Sequence, residues 1–166
     1  MLRITERVLL LEVLSLLQTE LIIQIYLFKI MEKTINEIYA LVSMYLSVDM
    51  NEKTRKREVS DARKIFAYLC IECVESENTP YRDKLIYSKI GKHRTTFIHY
   101  KRVKDDFLNY DKDLRIKFNL LKPQAEDIVD YNKKHEKESK EYLLKQIAYH
   151  KENLSYYNEK LNKVCV

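Results

Sequence analysis

Glycine occurs once in the 166 residues, at Gly91, proline twice, at Pro80 and Pro123, and tryptophan not at all. A β-sandwich or β-barrel needs turn residues every few positions, so both architectures are nearly ruled out. Phosphate-cradling loops of the GxxxxGK[ST] or GxGxxG type need two or more glycines, so the chain carries no nucleotide-binding motor of those kinds. The three cysteines, Cys70, Cys73 and Cys165, are odd in number and lack framework spacing, as in a chain from a reducing compartment. Cys70 and Cys73 form a CxxC inside the helical pattern ARKIFAYLCIEC. Two thiols alone do not complete a structural zinc site, so these read as small apolar side chains of a helix core. With no HExxH and no nucleophile beside a base, neither an enzyme nor a metal or other cofactor is expected.

What remains is a chain that is 46% hydrophobic and 33% charged, the balance of a helical protein with a core. Its net charge of +5 is modest, but its distribution is uneven. Residues 51–104 hold fourteen Lys and Arg against seven Asp and Glu, and the remainder is slightly acidic. A basic middle in a near-neutral chain points to a polyanion partner there.

Three segments are expected. Residues 1–30 are apolar; within them VLLLEVLSLLQTELIIQIYLFKI (8–30) has the length of a bilayer span but is interrupted by Glu12, Gln18, Glu20 and Gln24. Three readings stay open: a membrane anchor, a helix packed on the rest, or sequence upstream of a natural start at Met31. Residues 31–110 form the second segment. Thr34-Ile-Asn-Glu37 reads as a capping box, with Ile35, Ile38, Val42 and Tyr45 at helical spacing behind it. After the basic stretch Asn51–Glu58, Ser60 or Asp61 is expected to cap a helix whose stripe is Ala62, Ile65, Phe66, Leu69 and Cys73. A short helix is expected over Arg82–Ile90, a left-handed turn at Gly91, and a further helix opening at Thr95 or Thr96 with Phe97, Tyr100, Val103 and Phe107 on one face. The third segment, 123–166, is a long charged helix from Pro123 onward. In it Leu143, Ile147, His150, Leu154, Tyr157, Leu161 and Val164 step alternately by 4 and 3, a heptad seam. The seam predicts either a homodimer through residues 143–164 or packing on the chain's own N-terminal helix.

Two short helices joined by a turn holding the sole glycine, the second opening with HRTT, read as a helix-turn-helix. That motif sets the first residues of its second helix against base edges in the major groove. Lys92, Arg94, Lys101 and Arg102 supply cations there, and His93, Thr95, Thr96 and His99 supply hydrogen-bonding groups. The plainer alternative is a helical hairpin with a solvated basic face.

Three blocks in order, INEIYALVSMYL (35–46), RKREVSDARKIFAYL (55–69) and IGKHRTTFIHYKRV (90–103), resemble the C-terminal DNA-binding domain of DnaA, the bacterial replication initiator. That family's signature reads approximately G-R-D-H-T-T-V-x-H-A-x-x-K-I. Gly91, Lys92, Thr95, Thr96, Phe97, Ile98 and His99 follow it. The chain departs from it at His93-Arg94, where the family has Asp-His, and at Tyr100, which replaces a small residue and crowds either the groove or the core. The family's ATPase module has no counterpart here.

The resemblance implies double-stranded DNA as partner, in origin recognition or in replication or transcription control. It assigns Arg55 and Arg57 to a basic loop entering the minor groove, where a narrow groove concentrates negative potential. It assigns His93, Arg94 and Thr95 to base contacts, and Lys92, Thr96, His99, Lys101 and Arg102 to phosphates. It implies a cytoplasmic, nucleoid-associated protein of a bacterial or phage-infected cell, with membrane attachment through 8–30 left open. Two rival readings remain: another helix-turn-helix regulator dimerised by its C-terminal helix, and a membrane-tethered or coiled-coil interaction protein whose basic middle is incidental.

Overall fold

The computed structural model describes the backbone of residues 2–76 and 78–164, and the side chains of 17–18, 20–76, 78–149, 152–153 and 155–156. The chain is all-α. Helices α1 (Leu2–Leu46), α2 (Arg57–Cys73), α3 (Thr79–Lys89), α4 (Arg94–Tyr110) and α5 (Lys112–Val164) follow one another, and the described residues include no strand. They divide into two compact units, Lys29–Lys133 and the pair Met1–Phe28 with Lys134–Val166.

The Lys29–Lys133 unit holds the hydrophobic core. Its centre is α2, in which the six consecutive residues Ile65 to Cys70 are all buried. A helix buried nearly all round needs neighbours on every side. Ile35, Ile38 and Val42 of α1, Ile86 of α3, Phe97 and Tyr100 of α4, and Leu114, Phe118, Leu121, Ala125 and Val129 of α5 pack into the same core. Fully burying a side chain such as Phe66 or Leu121 stabilises the fold by about 1.5–3 kcal/mol before entropy is counted. Tyr100 packs inward, its ring edge-on to Tyr68 at 6.3 Å between centroids.

Helix starts differ from several expectations. Thr34 caps nothing, because the apolar periodicity before it is continuous with Ile35, Ile38 and Val42 and α1 runs straight through. Its hydroxyl instead donates to the Ile30 carbonyl at 2.9 Å, the back-bond of a mid-helix threonine. The same hydroxyl accepts from buried Asn132, whose amide also donates to Glu37 at 2.6 Å and whose oxygen accepts from Lys33 at 3.1 Å. Helix α2 opens at Arg57, ahead of Ser60, with Lys56 as N-cap and no side-chain cap; the Ser60 amide donates to the Lys56 carbonyl, and Asp61 pairs with Arg57 and Lys64 within the helix. Helix α3 opens at Thr79, ahead of Arg82, with Asn78 accepting the Tyr81 amide and Pro80 in the first turn, where its missing N–H costs nothing. Pro123 does not begin a helix; it lies inside α5. An interior proline costs about 3 kcal/mol, and burial of Phe118, Leu121, Ala125 and Val129 on either side of it offsets that loss.

The second unit is a helix pair with none of its described side chains buried. Ile23, Tyr26 and Leu27 of α1 and Leu143 and Ile147 of α5 are half-buried. Tyr26 and Leu143 line one surface cavity of about 410 Å³ with Glu138, Ser139 and Tyr142. The side chains of His150, Leu154, Tyr157, Leu161 and Val164 on the heptad seam, and of residues 8–16, lie outside the described residues, as does Cys165. Among the described residues no helix is long and apolar enough to cross a membrane.

Candidate nucleic-acid interface

The candidate interface is centred on the turn between α3 and α4. Gly91 has φ +60°, the left-handed conformation that an L side chain rarely adopts. Its amide closes the end of α3 on Ser88, and the Lys92 amide donates to Tyr87 at 2.9 Å. The chain then turns into α4 with His93 as N-cap; the ring Nδ1 accepts the Thr95 amide at 3.4 Å. Helix α4 therefore starts one to two residues before the expected threonines. Phe97 and Tyr100 anchor its inner face, and the other side of its first turn carries exposed Arg94 and Thr95, with Thr96 half-buried.

The second part is the loop between α1 and α2, and one buried cation shapes it. The guanidinium of Arg63, 4% exposed, donates to the carbonyls of Met50, Thr54 and Glu52. A planar fork with five N–H groups suits three converging carbonyls, where an ammonium would not. This clamp fixes the loop that carries Arg55. Partial burial pushes the Lys92 ammonium below the usual lysine range, and the charges of Arg63 and Arg55 push it the same way.

Each residue expected at the site is placed as follows. Arg55, Arg57, His93, Arg94, Thr95, His99, Lys101 and Arg102 are exposed, and Lys92 and Thr96 are half-buried. Arg55, Arg94 and Arg102 make no ion pair with a described residue. Two expected cations are already engaged. Arg57 pairs with Asp61 at 3.3 Å and Asp111 at 3.1 Å, contacts that hold its guanidinium above the usual range. Lys101 pairs with Asp83 at 2.9 Å and lies 5.9 Å from the centre of the Phe97 ring. His99 stands apart from Arg55 in kind of surroundings, lining an open groove of about 730 Å³ with Arg57, Phe107, Tyr110 and Asp111.

Sequence reasoning missed Arg63, Asp83 and Asp111. Arg63 follows Ala62 within the apolar stripe of α2, a position where a charge must find internal acceptors, and that was the available signal. Asp111 gave none, because its cationic partner Arg57 lies on another element; Asp83 pairs with its neighbour Arg82 as well as with Lys101 of α4, and only the second pairing was hidden in the sequence.

The thiols of Cys70 and Cys73 sit in the core as α2 side chains. Burial pushes Cys73 up to about 11 and Cys70 well above its ordinary value. Among the described residues no group of three His, Cys, Asp or Glu is arranged to hold a metal ion. No protein-family model, curated protein or solved structure matches this chain.

Proposed function

We propose that this protein binds double-stranded DNA through a helix-turn-helix made of α3, the Ile90–His93 turn and α4, in the manner the DnaA-like motifs imply. The reading rests chiefly on the left-handed turn at Gly91 and the α4 start behind it, which leaves Arg94 and Thr95 exposed on one side while Phe97 and Tyr100 anchor the other. The Thr95 and Thr96 amides are already taken by His93, so it is the partial positive charge of the helix N-terminus that favours phosphate here. Arg94 offers guanine a bidentate fork and Thr95 offers a thymine methyl its own methyl group. His93 uses Nδ1 as a cap and keeps Nε2 for a base or a phosphate. Lys92, Thr96, His99, Lys101 and Arg102 contact phosphates, and Arg55, with Arg57 behind it, enters the minor groove.

Without a nucleotide-binding module of the P-loop type, the proposed role is site recognition in replication or transcription control, in a nucleoid-associated setting. Selection from a random duplex pool, followed by binding across a salt series, tests it. An enriched site whose affinity falls steeply with salt is expected. An unenriched pool with weak, salt-insensitive binding would overturn the reading and leave the basic surface as a solvated face.

A further inference from the structure

The residues between α1 and α2, SVDMNEKTRK (47–56), include neither glycine nor proline. No proline stiffens this loop, so its order comes from what it touches. Ser47 opens it at φ +51°, in the left-handed region that a serine holds only where its surroundings require it. The Asp49 carboxylate accepts the Asn51 amide at 2.9 Å, an Asx turn. Met50 is fully buried, and its carbonyl is one of the three taken by Arg63 of α2.

A second tie leads elsewhere. Tyr39, half-buried on α1, offers its hydroxyl to the loop: Asn51 Nδ2 donates to it at 3.0 Å, and it donates to the Asp49 carboxylate at 3.5 Å. Its ring meets Phe66 of α2 edge-on at 5.6 Å between centroids. Over the same ring lies the ammonium of Lys89, 4.9 Å from its centre and in the last turn of α3. Lys89 stands two residues before Gly91, where the chain turns towards α4. One side chain therefore touches the basic loop, the core helix and the end of the first helix of the helix-turn-helix. A phenylalanine would serve the contacts with Phe66 and Lys89 equally well; only the loop contacts need the hydroxyl.

Placement matters for a groove-entering arginine. A loop that must be ordered on docking loses part of its binding energy to that ordering, and one held beforehand does not. We propose that Tyr39 is a positioning residue of the DNA interface: through Asn51 and Lys89 it joins the basic loop to the helix-turn-helix, so that Arg55 reaches the minor groove at a fixed offset from Arg94 and Thr95. The role presupposes that this surface binds duplex DNA.

Fluorescence anisotropy with two labelled duplexes tests it. Both carry the site selected from the random pool, one flanked by an A·T tract and the other by G·C pairs. The wild type should prefer the A·T flank, and Arg55→Ala should abolish the preference. Tyr39→Phe keeps the ring contacts. It should lower affinity for the A·T-flanked duplex about twofold to tenfold, the span of one neutral hydrogen bond, and leave the G·C-flanked duplex unchanged. Asn51→Ala, at an exposed position, should do the same, and Tyr39→Phe should add nothing to it or to Arg55→Ala. The base preference that depends on Arg94 should survive in every one of these chains. Equal losses on both duplexes would make Tyr39 a contributor to stability alone and overturn the proposal. A wild type indifferent to the flank, or a Tyr39→Phe chain with an undiminished A·T preference, would overturn it too. If Tyr39→Phe does not fold, Asn51→Ala decides by the same criteria. Absence of any selected site for the wild type would instead remove the DNA-binding reading, and the role of Tyr39 with it.

Discussion

Arg57 at the start of α2 and Asp111 at the start of α5 are joined by a 3.1 Å hydrogen bond across 54 residues of sequence. The same carboxylate caps α5: its other oxygen accepts the Leu114 amide at 3.1 Å. That amide first, and the charge of Arg57 with it, hold the Asp111 carboxyl below the usual carboxylate range against a smaller opposing effect of burial. One side chain thus fixes a helix end and engages a cation expected on DNA.

Replacing Asp111 by Asn separates the two roles. An asparagine keeps the cap acceptor and loses the charge. Arg57 then has one carboxylate partner, Asp61, in place of two. Duplex affinity at low salt should rise severalfold and the gain should fade as salt screens the surface. Fluorescence anisotropy with a labelled duplex measures this; an unchanged affinity at every salt concentration would remove Arg57 from the interface.

Two cations of α4 are expected to behave differently on DNA. Arg94→Ala should cost about 1–3 kcal/mol of specific binding and flatten the preference at one or two base positions. Lys101→Ala should weaken all sequences alike and by less, because Lys101 must first give up Asp83. Site selection with each variant compares them. A selected site identical for wild type and Arg94→Ala would show that the recognition residues are assigned to the wrong turn of the helix.

Arg63 should be the most costly single cation to remove. Arg63→Met keeps much of the stem and leaves three loop carbonyls without their donor. Stranding buried carbonyls costs about 1–3 kcal/mol, so the urea midpoint should drop and the 50–56 loop should be nicked faster by protease. If the loop resisted protease as in the wild type, Arg63 would not be its clamp.

Acid sensitivity should trace to Glu72. Burial alone would raise its carboxyl, but hydrogen bonds and charge from Lys104 and Lys122 outweigh this and hold it below the usual range. A carboxylate with a depressed folded pKa contributes stability above its unfolded value, near 4.3, and loses it as pH falls through the folded value. Thermal melts should therefore decline below about pH 4.3 more steeply in the wild type than in Glu72→Gln. Parallel declines would assign the acid loss to other carboxylates.

The all-α class was legible in the chain because it depends on local matters. One glycine and two prolines spoke against the turn-rich all-β folds, and helical spacing marked the inward faces of α2 and α4, where Ala62, Ile65, Phe66, Leu69, Phe97 and Tyr100 are indeed buried. Gly91 was legible for the same reason, since a left-handed turn is a property of one residue. Helix starts were not: Thr34 and Pro123 carry strong local signals for a terminus, and packing of Ile35 and Ile38 in one case and Leu121 and Ala125 in the other overrode them. Nor were the pairings of Arg57 with Asp111, of Lys101 with Asp83, and of Arg63 with the 50–54 carbonyls. A side chain's electrostatic partners are fixed by which elements meet. That is decided by the packing of the whole core, so the sequence determined which residues carry charge, and tertiary structure alone decided which of those charges stay available to a partner.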